Sequence, residues 1–139
     1  MKIEELSKEN IMEILPLVQS LNPQLEENIL YKRQEDMFKH THYLCFGMFI
    51  ESEMIAVSSA WTTVRLYSGK QLELDNVVVK PSFRSKGIGN TFIAMIENWA
   101  VDRGYETIEL NSYVDNTASH KFYQRRSYRI LGHHFQKKI

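Results

Sequence analysis

The sequence has a single cysteine, three prolines, six glycines and no formal net charge. Each scarcity excludes something. Cys45 alone can form neither an intrachain disulfide nor a cysteine-rich zinc site. Seventeen Lys and Arg balance seventeen Asp and Glu, so no general field draws the chain to nucleic acid or to an anionic membrane. No apolar run approaches the ~18 residues of a membrane span. Met1–Glu5 lacks the apolar stretch of a secretory signal, and the expected location is cytoplasmic. Repeats, low-complexity tracts and linkers are missing as well. No G-x-x-x-x-G-K-[ST] run occurs, which removes the nucleoside triphosphate loop. Read from Gly87, a dinucleotide fingerprint would need a small residue where Phe92 stands, which removes that site too.

What is present is ordinary in bulk. The 139 residues are 43% hydrophobic and 24% charged, enough for one globular domain over 1–139 with its own core. Residues 1–5 alternate weakly and predict a short edge strand. Ser7 caps a helix bearing Ile11, Ile14, Leu15 and Val18, which Pro16 should kink or end early. Beyond Asn22-Pro23 a second helix is predicted over 24–39, with Leu25, Ile29, Leu30, Met37 and Phe38 inward. The period then changes, and 43–50, 54–66 and 71–80 read as a strand meander that Pro81 ends. A helix over 90–103 carries Phe92, Met95, Ile96, Trp99 and Ala100 on one face, and Gly104 stops it. A short strand over 107–111, a helix over 116–126 and a last strand over 128–137, with a bulge at Gly132, complete the order β α α β β β α β α β. This is a mixed α/β (α+β) sheet domain. On the strand 71–80, alternation points Glu73, Asp75, Val77 and Val79 one way and Leu72, Leu74, Asn76 and Val78 the other.

The chemistry concentrates at Arg84-Ser85-Lys86-Gly87-Ile88-Gly89, between a strand and a helix. A glycine turn there leaves backbone N–H groups free at a helix start, a ready site for an anion and above all a phosphate. The histidines suggest no metal centre. His40, His42, His133 and His134 lack the spacing and carboxylates of a zinc site. Cys45 reads as a buried strand residue with no adjacent base to make it a nucleophile.

The segment Val77-Val78-Val79-Lys80-Pro81-Ser82-Phe83-Arg84-Ser85-Lys86-Gly87-Ile88-Gly89 resembles the acetyl-CoA signature of the GNAT N-acetyltransferase superfamily. The segment Asn116 to Tyr123, an Asn followed seven residues later by Tyr, resembles that superfamily's second signature. Their order and separation match, as does the element order along essentially the whole chain. Two features depart from the pattern: Ser127-Tyr128 stand where Gly-Phe is usual, and the tail is short. Ser127 would strain its turn if a positive φ is required.

The resemblance implies a GNAT fold: a central, mostly antiparallel sheet of six to seven strands, splayed at strands 4 and 5 and flanked by about four helices. It implies acetyl-CoA as cosubstrate, no metal, and transfer of the acetyl group directly to a primary amine of a small molecule or peptide. The N–H groups of Arg84 to Gly89 would cradle the pyrophosphate. Val77, Val78 and Val79 would line the pantetheine, with backbone bonds from Val77 and Val79 to it and to the thioester carbonyl. Asn90, Asn116 and Phe122 join the same CoA-binding set. Glu73, eleven residues before Arg84, would be the general base, with Asp75 the nearest rival, and Tyr123 the acid that protonates the departing thiolate. Acceptor contacts would come from about 20–42 and 64–70. Other readings are a silent CoA-binding sensor or structural protein, and an enzyme acting on protein lysines or N-termini. The short tail also leaves a sheet edge that a second subunit could cover, giving a homodimer.

Overall fold

Five strands pair in sequence order, β1 (Lys2–Glu5), β2 (Tyr43–Ile50), β3 (Glu53–Arg65), β4 (Gly69–Val79) and β5 (Thr107–Leu110). The computed structural model describes residues 1–139. It resolves into two compact units, Met1–Glu109 and Leu110–Ile139. The first four strands are joined antiparallel. β5 begins beside the start of β4, where the Glu106 N–H donates to the Lys70 carbonyl at 2.8 Å, so these two strands run parallel. With four residues against eleven, β5 leaves the far half of β4 without a strand neighbour on the side away from β3.

Helices cover both faces of the sheet in the first unit. On one face, α1 (Ile11–Leu21) and α2 (Glu27–Phe38) bury Ile14, Leu15, Val18 and Leu30 against Tyr43, Cys45, Val57 and Val78. On the other, α3 (Ile88–Asp102) buries Phe92, Ile93, Ile96 and Ala100, and the Trp99 ring meets Phe46 edge-on at 4.8 Å. Ile93 was not on the expected face, and Met95 is only half-buried. α1 runs through Pro16 without ending. The missing N–H costs only the bond to the Met12 carbonyl, and Met12 lies at the exposed first turn where water can serve it.

Two glycines are held by geometry. Gly69 takes φ +73 at the β3–β4 hairpin, and a Cβ there would overlap the Glu106 carboxylate, which caps the Lys70 N–H at 2.8 Å. Gly87 takes φ +74 as the residue before α3.

The expected alternation along β4 fails at one point. Ser59 pairs with Asp75 but Val57 pairs with Val78, so β4 carries an extra residue there. Asn76 absorbs it at φ 51, a left-handed conformation that Asn tolerates. The bulge swaps faces. Val78 now lies on the side of Glu73 and Asp75, and Val79 on the side of Leu72 and Leu74.

In the second unit, α4 (Thr117–Arg125) follows a turn at Tyr113–Asn116. The strand expected over 128–137 does not form, and the sheet has five strands rather than six or seven. Every residue from Arg129 to Ile139 is exposed, and no ladder partner fixes the segment. A strand pattern in sequence needs a neighbouring edge to become a strand.

Candidate active site

The turn after β4 is built for an anion. The residues 81–83 form a short 3-10 turn, and the Arg84 N–H closes it on the Pro81 carbonyl at 3.2 Å. None of the N–H groups of Ser85, Lys86, Gly87, Ile88 and Gly89 donates to a backbone carbonyl. Positive φ at Ser85 (62°) and Gly87 (74°) places left-handed residues in the turn, the backbone type from which anion-binding nests are built. A Cβ on Gly87 would meet nothing within 4 Å, so the space over the turn is open. The Gly87 carbonyl accepts from both the Thr91 N–H (3.1 Å) and the Thr91 hydroxyl (3.2 Å), which fixes the first turn of α3. The Arg84 guanidinium donates through Nε to the Val79 carbonyl at 3.0 Å, pinning the turn to the end of β4. Of the expected cradle, the Arg84 N–H is thus already engaged, and five N–H groups remain. These groups suit an anion such as a phosphate.

β4 brings Glu73 and Val77–Val79 onto the strand that feeds this turn. Glu73 is half-buried and pairs across the ladder with Trp61, whereas Asp75 is exposed and its Oδ1 accepts from the Asn76 N–H at 2.9 Å. On the same face lies a polar cluster that hydrophobic periodicity could not show. Gln34 Nε2 donates to the Tyr43 hydroxyl at 2.7 Å, and that hydroxyl lies 2.6 Å from the Ser59 hydroxyl, all three residues buried. Burial pushes the Tyr43 phenol far above its usual value. Cys45 sits beside it, its thiol raised by burial to about 12 and therefore inert at neutral pH. The Tyr43 ring also packs, tilted by 56°, against Trp61 at 4.8 Å, and the His40 ring meets Trp61 edge-on at 5.7 Å. Towards β5, Tyr67 donates to Glu109 Oε1 at 2.8 Å.

The second unit carries Asn116, Phe122 and Tyr123 on one helix. Asn116 caps α4, its Oδ1 accepting from the Ser119 N–H at 3.1 Å. His120 Nε2 lies 2.9 Å from the Tyr113 carbonyl, which accounts for its side chain without a catalytic part. The Tyr123 ring stands between Phe122 (5.0 Å) and Tyr128 (5.4 Å), and burial raises its phenol to about 12. Ser127 does take a positive φ, 69°. The Tyr128 N–H closes that turn on the Tyr123 carbonyl at 3.0 Å. No group of three or more His, Cys, Asp or Glu side chains is placed to hold a metal ion.

An α/β sheet with a splayed fourth and fifth strand, and an anion turn at the start of the third helix, is the framework of an acyl-transfer enzyme. The model of the acetyltransferase (GNAT) family matches residues 11–128. The chain belongs to that family and is an acyltransferase. It is 25% identical over 134 residues to the uncharacterized N-acetyltransferase YhdJ of Bacillus subtilis (strain 168), spanning 96% of this chain and 94% of that protein. Among solved structures it is similar to the aminoglycoside N-acetyltransferase AAC(6')-Iy in complex with a CoA-linked bisubstrate analogue of neamine. That likeness has a TM-score of 0.82 at 19% identity over 99% of this chain and 98% of the other. A ribosomal-protein-alanine N-acetyltransferase from Brucella melitensis biovar Abortus 2308 gives the same TM-score of 0.82 at 16% identity, over 100% of both chains. At these identities the structural likeness shows the fold.

Proposed function

We propose that this chain, acting as one acetyltransferase domain over 1–139, moves the acetyl group of acetyl-CoA directly to a primary amine of a small molecule or peptide. The observation that carries the reading is the run of five N–H groups from Ser85 to Gly89 that no backbone carbonyl engages, beside open space at Gly87. The donor is supported by AAC(6')-Iy, whose structures hold CoA or a CoA-linked analogue.

In this reading the turn binds the pyrophosphate. Val77, Val78 and Val79 line the pantetheine on the open half of β4, and Asn90, Asn116 and Phe122 complete the donor site. Backbone N–H groups of the strand stabilise the oxyanion that forms when the amine attacks the thioester carbonyl. An alkylamine has a pKa of about 10.4, so roughly one molecule in a thousand is neutral near pH 7, a deficit of about 4 kcal/mol. Glu73, half-buried beside Trp61, takes the proton, directly or through water. Tyr123, kept neutral by burial, protonates the thiolate as it departs. Glu73, Asp75 and Glu109 on neighbouring strands favour an acceptor that arrives as a cation.

Thiol release from acetyl-CoA in the presence of polyamines, amino sugars, aminoglycosides and peptides tests this reading. Amine-dependent release is the expected result. Binding of acetyl-CoA with no release for any amine would favour a CoA-binding sensor instead.

A further inference from the structure

Tyr43, Trp61 and Glu73 stand in line across β2, β3 and β4, each the ladder partner of the next. Partners in an antiparallel ladder share a face and hold their Cβ atoms about 4.5–5.5 Å apart. The Tyr43 ring is held by its hydroxyl, which is tied to Gln34 on α2 and to Ser59 on β3. It meets the Trp61 indole at a tilt of 56°, and the His40 ring meets the same indole at 67°. The indole is thus held by two rings, neither of which lies flat on it. Tyr43, Cys45 and Ser59 are buried, yet Trp61 on the same face is only half-buried. A fixed indole therefore reaches the surface beside the half-buried carboxylate of Glu73.

Charge on this face has one prevailing sign. Glu73 and Asp75 share it on β4, against a single cation of β3, Arg65, at that strand's exposed end. An indole beside a carboxylate attracts an ammonium, through the ring quadrupole and through direct opposition of charge. Resting on the acetyl-transfer reading above, we propose that Trp61 determines acceptor specificity: its indole receives the ammonium-bearing carbon of an alkylamine and presents the nitrogen to Glu73. The site then selects an alkyl ammonium, as in a diamine or a lysine side chain, over the α-amine of a peptide. The alkyl ammonium has a pKa of about 10.4 and arrives almost wholly charged near pH 8, whereas the α-amine, at about 7.7–8.0, is then about half neutral.

Steady-state kinetics at pH 8 with 1,5-diaminopentane and with glycinamide, an α-amine, test the proposal. The expected kcat/KM favours the diamine about tenfold or more. Trp61→Phe and Trp61→Leu should raise the KM for the diamine in that order, about tenfold for Leu, with the KM for acetyl-CoA unchanged. Mono- and difluorotryptophan, incorporated in place of tryptophan, keep the shape of the indole and weaken its quadrupole, so they read out the contact even if Trp61→Leu folds poorly. The diamine KM should climb with each fluorine in the otherwise unaltered chain. It should not climb in Trp61→Leu, where Trp99 is the one tryptophan left. A diamine KM indifferent to the variants and to fluorine would overturn the proposal. So would a preference for glycinamide, or a KM for acetyl-CoA that rises in step, which would make Trp61 a packing residue. Turnover confined to amines other than alkyl ammonium would leave acetyl transfer standing and overturn this inference alone. No thiol release with any amine would remove the acetyl-transfer reading and this inference with it.

Discussion

Tyr123 holds its proton because it is buried, with the phenol raised to about 12. A raised value means that the neutral, donating form persists across the working range and is lost only as pH climbs through about 12. The rate should therefore show no alkaline fall from this group below about pH 11. Removing the hydroxyl in Tyr123→Phe should lower kcat about a hundredfold, the lower range for a general acid, and change the KM for acetyl-CoA little. An unchanged kcat would remove Tyr123 from the chemistry. Ser127 poses a different question at the same scale. Its φ of 69° puts a side chain in the left-handed region, which costs about 1 kcal/mol or more. Ser127→Gly should raise the unfolding free energy by about 0.5–1 kcal/mol in urea titrations. A loss of stability would mean that the serine has a compensating contact. This strain was legible in the sequence, since Ser stands where the resembling family has Gly.

Two local constructions decide the first unit. One is the turn before α3. Gly87→Ala meets no steric obstacle in the unliganded chain, but it carries the left-handed φ and adds a methyl to the anion turn. The KM for acetyl-CoA should rise about tenfold, equivalent to roughly 1.4 kcal/mol, while kcat falls less. Equal affinities would exclude the turn as the donor site. The other construction is the buried Gln34–Tyr43–Ser59 cluster. Tyr43→Phe leaves a buried amide and a buried hydroxyl without their partner and should cost about 1–3 kcal/mol in denaturant unfolding. Because burial raises the Tyr43 phenol above its ordinary 10.0, its contribution is fully present below pH 10 and declines as pH rises beyond. Wild-type stability should therefore erode above pH 10 in part through this residue, and the Phe variant should show a shallower decline. Composition and period revealed β2 to the residue and the helices to within a few residues. They could not reveal Gln34, a polar residue buried by its bonds, or the face swap at Asn76. The bulge depends on how β3 and β4 count against each other, which neither strand states alone.

At the scale of the molecule, the order of the elements, the meander of β2 to β4 and the anion turn followed from patterning, and the helices flanking the sheet from the family resemblance. The last strand did not follow, because a strand exists only with a partner edge and sequence period does not supply one. The neutral net charge leaves recognition to local features, and the proposed ones are the five N–H groups of the turn for the donor and the carboxylates of β4 and β5 for a cationic acceptor. The central claim is acetyl transfer to a primary amine, and the most direct measurement is mass spectrometry of an amine panel incubated with acetyl-CoA and the purified chain. Acetylated amine should accumulate in step with free thiol, and about a hundredfold more slowly with Tyr123→Phe. Free thiol without acetylated amine, or no turnover while acetyl-CoA binds normally, would contradict the account.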